Sequence, residues 1–107
     1  MKELKIAIAA LAAAISFSAS SGTGSGKVTG IIIVPGAVIF TVESPLNIPA
    51  CSSAGEYAID GSTSDGKNTL AFVLSAASQG RSVSVMGSGN CSLLAGRETV
   101  LYVGAGY

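Results

Sequence analysis

Beyond the N-terminus, a single stretch of this chain repeats its apolar residues with a helical period, and its position restricts the folds open to it. Leu70, Val73, Leu74 and Ala77 follow the i, i+3, i+4, i+7 spacing that lines one face of a helix. The spacing predicts a helix over 65–79: Ser64 or Asp65 can cap its first amides, and Gly80 stands where a left-handed residue ends a helix. The sequence around it reads as strand and turn. Val28–Val34 is rich in Val and Ile, Pro35-Gly36 turns the chain, and Ala37–Glu43 puts Val38, Phe40 and Val42 on one face. Two strands joined by so short a turn form an antiparallel hairpin. Ser44–Gly55 holds two of the three prolines and reads as a loop, Glu56–Asp60 as a short third strand, and Gly61–Gly66 as a second loop. Past the helix, Arg81–Met86 alternates with Val83 and Val85 inward, and Glu98–Val103 is the last strand. The order is β-β-β-α-β-β. It describes an α+β, mainly β domain: a small five-stranded OB-like barrel with one helix between its third and fourth strands.

The N-terminus accounts for part of the apolar excess, 49% hydrophobic residues against 11% charged. Lys2 and Lys5 precede an apolar run from Ile6 to Ile15, and small residues follow at Ser18 to Gly22. A basic start, an apolar core and a small-residue exit describe a secretory signal peptide. The run is shorter than the roughly 20 apolar residues a bilayer span needs. Cleavage after Ser21 satisfies the small–x–small rule through Ala19 and Ser21, and Ser16 and Ser20 also fit. The expected organisation is a signal peptide at 1–21, a flexible Gly/Ser leader at 22–27 and a single OB-like domain at 28–107. The destination is the periplasm or the exterior, with no membrane span in the mature chain. In that oxidising compartment Cys51 and Cys91, the only two cysteines, have one pairing open to them. The disulfide would tie the loop between strands two and three to the loop between strands four and five. Closing such a loop stabilises the fold by about 4 kcal/mol in the chain-entropy model.

Leu70–Cys91 (LAFVLSAASQGRSVSVMGSGNC), with Phe40–Cys51 upstream, resembles a group of short secreted bacterial proteins. Those are in turn similar to the B subunits of subtilase-type and other pertussis-like toxins. The resemblance spans most of Val28–Val103 and rests on a helix ending in small–x–Gly, a Val-alternating strand and Gly–x–Cys. It implies an OB barrel that assembles into an oligomer and binds sialylated glycans. The first hairpin turn here is only Pro35-Gly36, and no position matches the toxins' sugar contacts one for one, so the resemblance carries over no site residue.

The residue inventory excludes more than it selects. His is 0, so a serine nucleophile would have to rely on Lys27, Lys67 or an acid as its base. Asp60 and Asp65 lie close in sequence, but a strand end and a helix cap explain them better than paired catalytic carboxylates do. In DGSTSDG, Asp60–Gly66, position six of a calcium loop would be Asp65 and position twelve Ala71, so the register fails. Gly87–Cys91 is not followed by the GK[ST] of a phosphate-binding loop, and the glycines read as a tight turn beside the disulfide. Four basic residues against five acidic ones after Ser21 leave no basic face for nucleic acid. No enzyme activity, cofactor or metal is therefore expected.

Assembly is expected instead. Asn68–Gly80 carries no charged residue, although a helix on a monomer's surface normally shows a charged outer face. Phe72 lies about 200° from Leu70 around the helix, among Asn68, Ser75, Ala76 and Gln79, and is the candidate oligomer contact. The functional expectation is an exported binding module for a glycan or protein partner. The alternative is a periplasmic or secreted structural or protein-interaction protein with no small ligand.

Overall fold

The computed structural model describes residues 21–105; the basic and apolar leader, apart from Ser21, lies outside them. Five strands and one helix follow in the expected order: β1 (Thr23–Val34), β2 (Ala37–Leu46), β3 (Tyr57–Ile59), α1 (Ser64–Gln79), β4 (Ser82–Gly87) and β5 (Glu98–Gly104). All five strands belong to one sheet, paired in the order β1-β2-β3-β5-β4, and β4 returns to pair with β1. The ring is antiparallel except where β3 meets β5, with Tyr57 beside Glu98 and Ala58 beside Thr99. The Pro35-Gly36 hairpin forms as expected: Val34 pairs with Ala37, and Gly36 takes the positive φ of 81° that glycine tolerates.

Closure of the ring depends on a segment whose role the sequence conceals. Of residues 22–27, expected as a flexible leader, Thr23 to Lys27 contribute the start of β1. Thr23 to Lys27 pair with Met86 to Ser82 on β4, while Thr23 to Ser25 also pair with Leu46 to Ser44 on β2. The Gly/Ser composition reads as linker because those residues have low strand propensity. Here the backbone hydrogen bonds to two neighbours outweigh it. Register shifts between Ser25 and Val28 and between Val28 and Gly30 bend the strand, so one 12-residue strand serves both β4 and the far end of β2.

The core is Val38, Phe40, Val42, Tyr57, Ile59, Val83 and Val85 from the sheet, with Val73 and Ala76 from α1. Phe40 and Tyr57 pack with ring centroids 5.4 Å apart. α1 begins at an N-cap one residue earlier than expected: the Thr63 hydroxyl accepts from the Gly66 amide at 2.9 Å. Gly80 closes it at φ 65°. The inward face is rotated from the expected stripe. Gly66, Val73 and Ala76 are buried and Leu70 partly so, whereas Leu74 is 44% exposed. The first turn, at Gly66, makes a close approach. A side chain on Gly66 would run into the Asp60 carbonyl, so only glycine lets that turn of the helix approach the β3–α1 loop so closely.

The disulfide is present as expected, with Cys51 and Cys91 joined across a Cα–Cα distance of 6.0 Å. It joins the β2–β3 loop to the β4–β5 loop. The Ser53 amide, donating to the Gly96 carbonyl at 3.1 Å, ties the same two loops again. Among the described residues no helix is long and apolar enough to cross a membrane.

Candidate functional site

Strand pairing builds a groove on the outer surface of the ring. Leu46, Thr23, Met86 and Tyr102 are direct cross-strand neighbours on β2, β1, β4 and β5. The next row outward is Ser44, Ser25, Ser84 and Gly104. Val85, between the two rows, is buried in the core, so alternation sends Ser84 and Met86 to the other face. The result is a shallow, mainly apolar cavity of about 560 Å³ whose lining includes Leu46, Val85, Met86 and Tyr102 together with Thr23, Ser25 and Ser84. Leu46 and Tyr102 are each 57% exposed at its margins. Among the described residues, no charged side chain lines it. Such a surface offers one aromatic face, two apolar side chains and several hydroxyls that donate or accept.

The irregularity that exposes Tyr102 is local. Val85 pairs with Val103 and Met86 with Tyr102, but Gly87 pairs with Val100, so β5 has an extra residue opposite the Met86–Gly87 step. Val100 and Val103 both reach the core, and Leu101 and Tyr102 both face out. The run Val100–Val103 therefore looks apolar on both faces because a bulge switches the faces midway.

Behind the groove lies a buried acid that its position at the start of a strand does not announce. The Glu98 side chain is 1% exposed. Its Oε2 accepts from the Gly22 amide and the Gly89 amide, both at 2.8 Å. A side chain at Gly22 or Gly87 would collide with the same carboxylate. Gly24 is held side-chain-free in the same way by the Tyr57 hydroxyl, which donates to the Thr23 carbonyl at 3.0 Å. Burial, and secondarily the neighbouring Glu98 charge, push the Tyr57 hydroxyl above its ordinary pKa. The glycines of 87–91, expected to serve a turn beside the disulfide, thus also make room for a carboxylate. Arg97, next in sequence, turns instead to Glu56 at 2.8 Å.

The remaining candidates are dispersed. Phe72 is 36% exposed on α1, where it borders a small dent with Ser75, Gln79, Arg81 and Ala105, and it does not line the groove. Ala76, expected on that outer side, is buried. Cys51 and Cys91 come together, and neither lines the groove. Asp60 uses its Oδ1 to hold the Ser62 amide at 2.9 Å and the Ser62 hydroxyl at 2.6 Å, which lowers its pKa. That is a turn built by a short acid. Compared with known proteins, the chain stands apart. No family model, curated protein or solved structure matches it. The function has to be argued from the surface itself.

Proposed function

We propose that this protein is an exported, non-enzymatic binding module, an OB-like barrel that takes a saccharide in its outer groove. Five strands, a return pairing from β4 to β1 and a helix between β3 and β4 support the barrel reading. The disulfide supports an oxidising destination, periplasmic or external. One observation carries the ligand class: a cleft whose lining combines Tyr102 with Thr23, Ser25 and Ser84. The C–H face of a pyranose packs on an aromatic ring, and its hydroxyls exchange hydrogen bonds with serine and threonine. Because the lining is uncharged, the fit is to a neutral saccharide. The sialylated ligands of toxin-like B subunits would find no cation there. The test is a glycan array probed with the exported, oxidised protein beside its Tyr102→Ala variant. Retention of neutral saccharides, lost in the variant, supports the reading; an array blank for both variants refutes it.

A second reading rests on a different observation. Ile33 is 72% exposed and Leu101 62%, and with Phe72 and Leu74 they leave large apolar side chains in water on the sheet and the helix. Exposed apolar surface of this kind suits an interface between copies or with a protein partner. It fits a structural or interaction protein without a small ligand, and it also supports self-assembly of the binding module.

A further inference from the structure

We infer that cleavage of the Ser21–Gly22 bond creates an α-ammonium group that forms a buried ion pair with Glu98, so that maturation completes the fold. The inference rests on the export reading for the existence of a cut; the structure supplies its position.

A carboxylate withdrawn from water needs compensation, and an ionised side chain is seldom buried without a counter-charge. Glu98 is 1% exposed, and its Oε2 has two backbone amides as donors. Among the described residues it forms no salt bridge, and Arg97 is engaged by Glu56. One of the two donors is the nitrogen of Gly22, the residue that follows one of the small–x–small sites, Ala19-Ser20-Ser21. Ser21 is exposed while Gly22 is buried, so the step from solvent to interior falls at that bond. Pro49 and the Asn47 carbonyl close the space around Gly22, and a Cβ there would strike the Glu98 carboxylate. The Gly22 carbonyl is fixed too, accepting from the Gly87 amide at 2.8 Å.

The chemistry is a hydrolysis catalysed by an endopeptidase of the signal-peptidase class. Water adds its oxygen to the Ser21 carbonyl carbon, the C–N bond to Gly22 breaks, and the Gly22 nitrogen leaves as an amine. At neutral pH that amine takes up a proton and becomes an ammonium. The nitrogen keeps its place 2.8 Å from Oε2 and exchanges one neutral donor for a charged group with three. Cuts after Ser16 or Ser20 would not do this. An amine at Ser21 would stand one residue, about 3.8 Å of chain, further out in solvent.

The titration has a definite sign. Pairing raises the folded amine above its free value of about 8, so the stabilisation is complete below that pH and is lost as pH rises through the folded value. The other titratable group at this junction is the Tyr57 hydroxyl from β3, bonded to the Thr23 carbonyl; the Glu56–Arg97 pair lies next to Tyr57 and Glu98 in the chain and is closed on itself. Tyr57, itself raised, ionises only above pH 10.0.

The full chain is expressed through a bacterial secretory route, and the exported protein is read by N-terminal sequencing and intact mass. Its α-amine is then acylated in the folded state and in denaturant. The expected result is an N-terminal Gly22 whose folded amine reacts at least about tenfold more slowly, since one pKa unit removes nine-tenths of the free base. In Glu98→Gln the cut stays in place and the protection falls. Should that variant not fold, inserting one Leu before Gly22 decides the matter: it is too large to be the residue before the cut, leaves Glu98 intact, moves the ammonium outward, and should abolish protection and lower Tm below pH 8. A chain that keeps residues 1–21 overturns both the export reading and this inference. A cut at another bond, equal acylation of folded and unfolded protein, or an insertion without effect overturns this inference alone.

Discussion

Glu98 and Tyr57 set the requirements for the glycines around them, and each makes a prediction that a stability measurement checks. Gly87 lies where a side chain would strike the Glu98 carboxylate. Gly87→Ala should therefore cost about 1–3 kcal/mol by overpacking, read as a lower urea midpoint with the slope unchanged. An unchanged midpoint would show that the carboxylate has room to move. Tyr57 is neutral at ordinary pH, and its raised pKa means that folding disfavours the phenolate. Its contribution is therefore complete below about pH 10 and is lost as pH rises beyond it. Tyr57→Phe should remove that alkaline step and cost about 1 kcal/mol at pH 7 through the lost bond to the Thr23 carbonyl. None of this was legible in the sequence. Glu98 reads as the first residue of a strand, Gly22 and Gly24 read as a flexible leader, and Gly87 reads as part of a tight turn. The reason for each glycine is a side chain far away in the chain, 76 residues in the case of Gly22 and Glu98.

Elements were more legible than residues because their signals are local. The hairpin, the helix with its Gly80 terminus and the inward Val83 and Val85 all follow from spacing and turn chemistry within a few positions. The expected stripe failed at Leu74, since periodicity fixes an apolar arc but not which edge of it the sheet will cover. Val73, fully buried, should lose about 2–3 kcal/mol as Val73→Ala, whereas Leu74→Ala should change stability by no more than about 0.5 kcal/mol. Equal losses in thermal melts would return Leu74 to the core. The loop staple has its own test. Cys51→Ser should destabilise the oxidised protein by about 2–5 kcal/mol, and thiol titration of unreduced wild type in denaturant should find no free thiol. The first half of β1 was illegible for a third reason. Its pairing is dictated by strands that arrive 19 to 63 residues later, a long-range term that overrides the poor propensity of Gly and Ser.

For the molecule as a whole, the surface bears on association and on ligand. Phe72 and Leu74 on α1, with Ile33 and Leu101 on the sheet, give an uncharged stretch of helix and a hydrophobic sheet surface, and the protein is expected to self-associate at micromolar concentration. Light scattering should find Phe72→Asp smaller than wild type. A monomeric wild type contradicts the expectation, and an oligomer indifferent to the change moves the contact off the helix. Phe72 is not among the residues that line the groove, so saccharide binding and assembly should respond to different substitutions. The closest test of the binding account is a titration of the isotope-labelled, exported protein with the neutral saccharides an array retains, followed by amide NMR shifts. The account predicts that Thr23, Ser25, Ser84 and Tyr102 move together and saturate with one affinity. Shifts confined to α1 around Phe72, or none at millimolar saccharide, would contradict it.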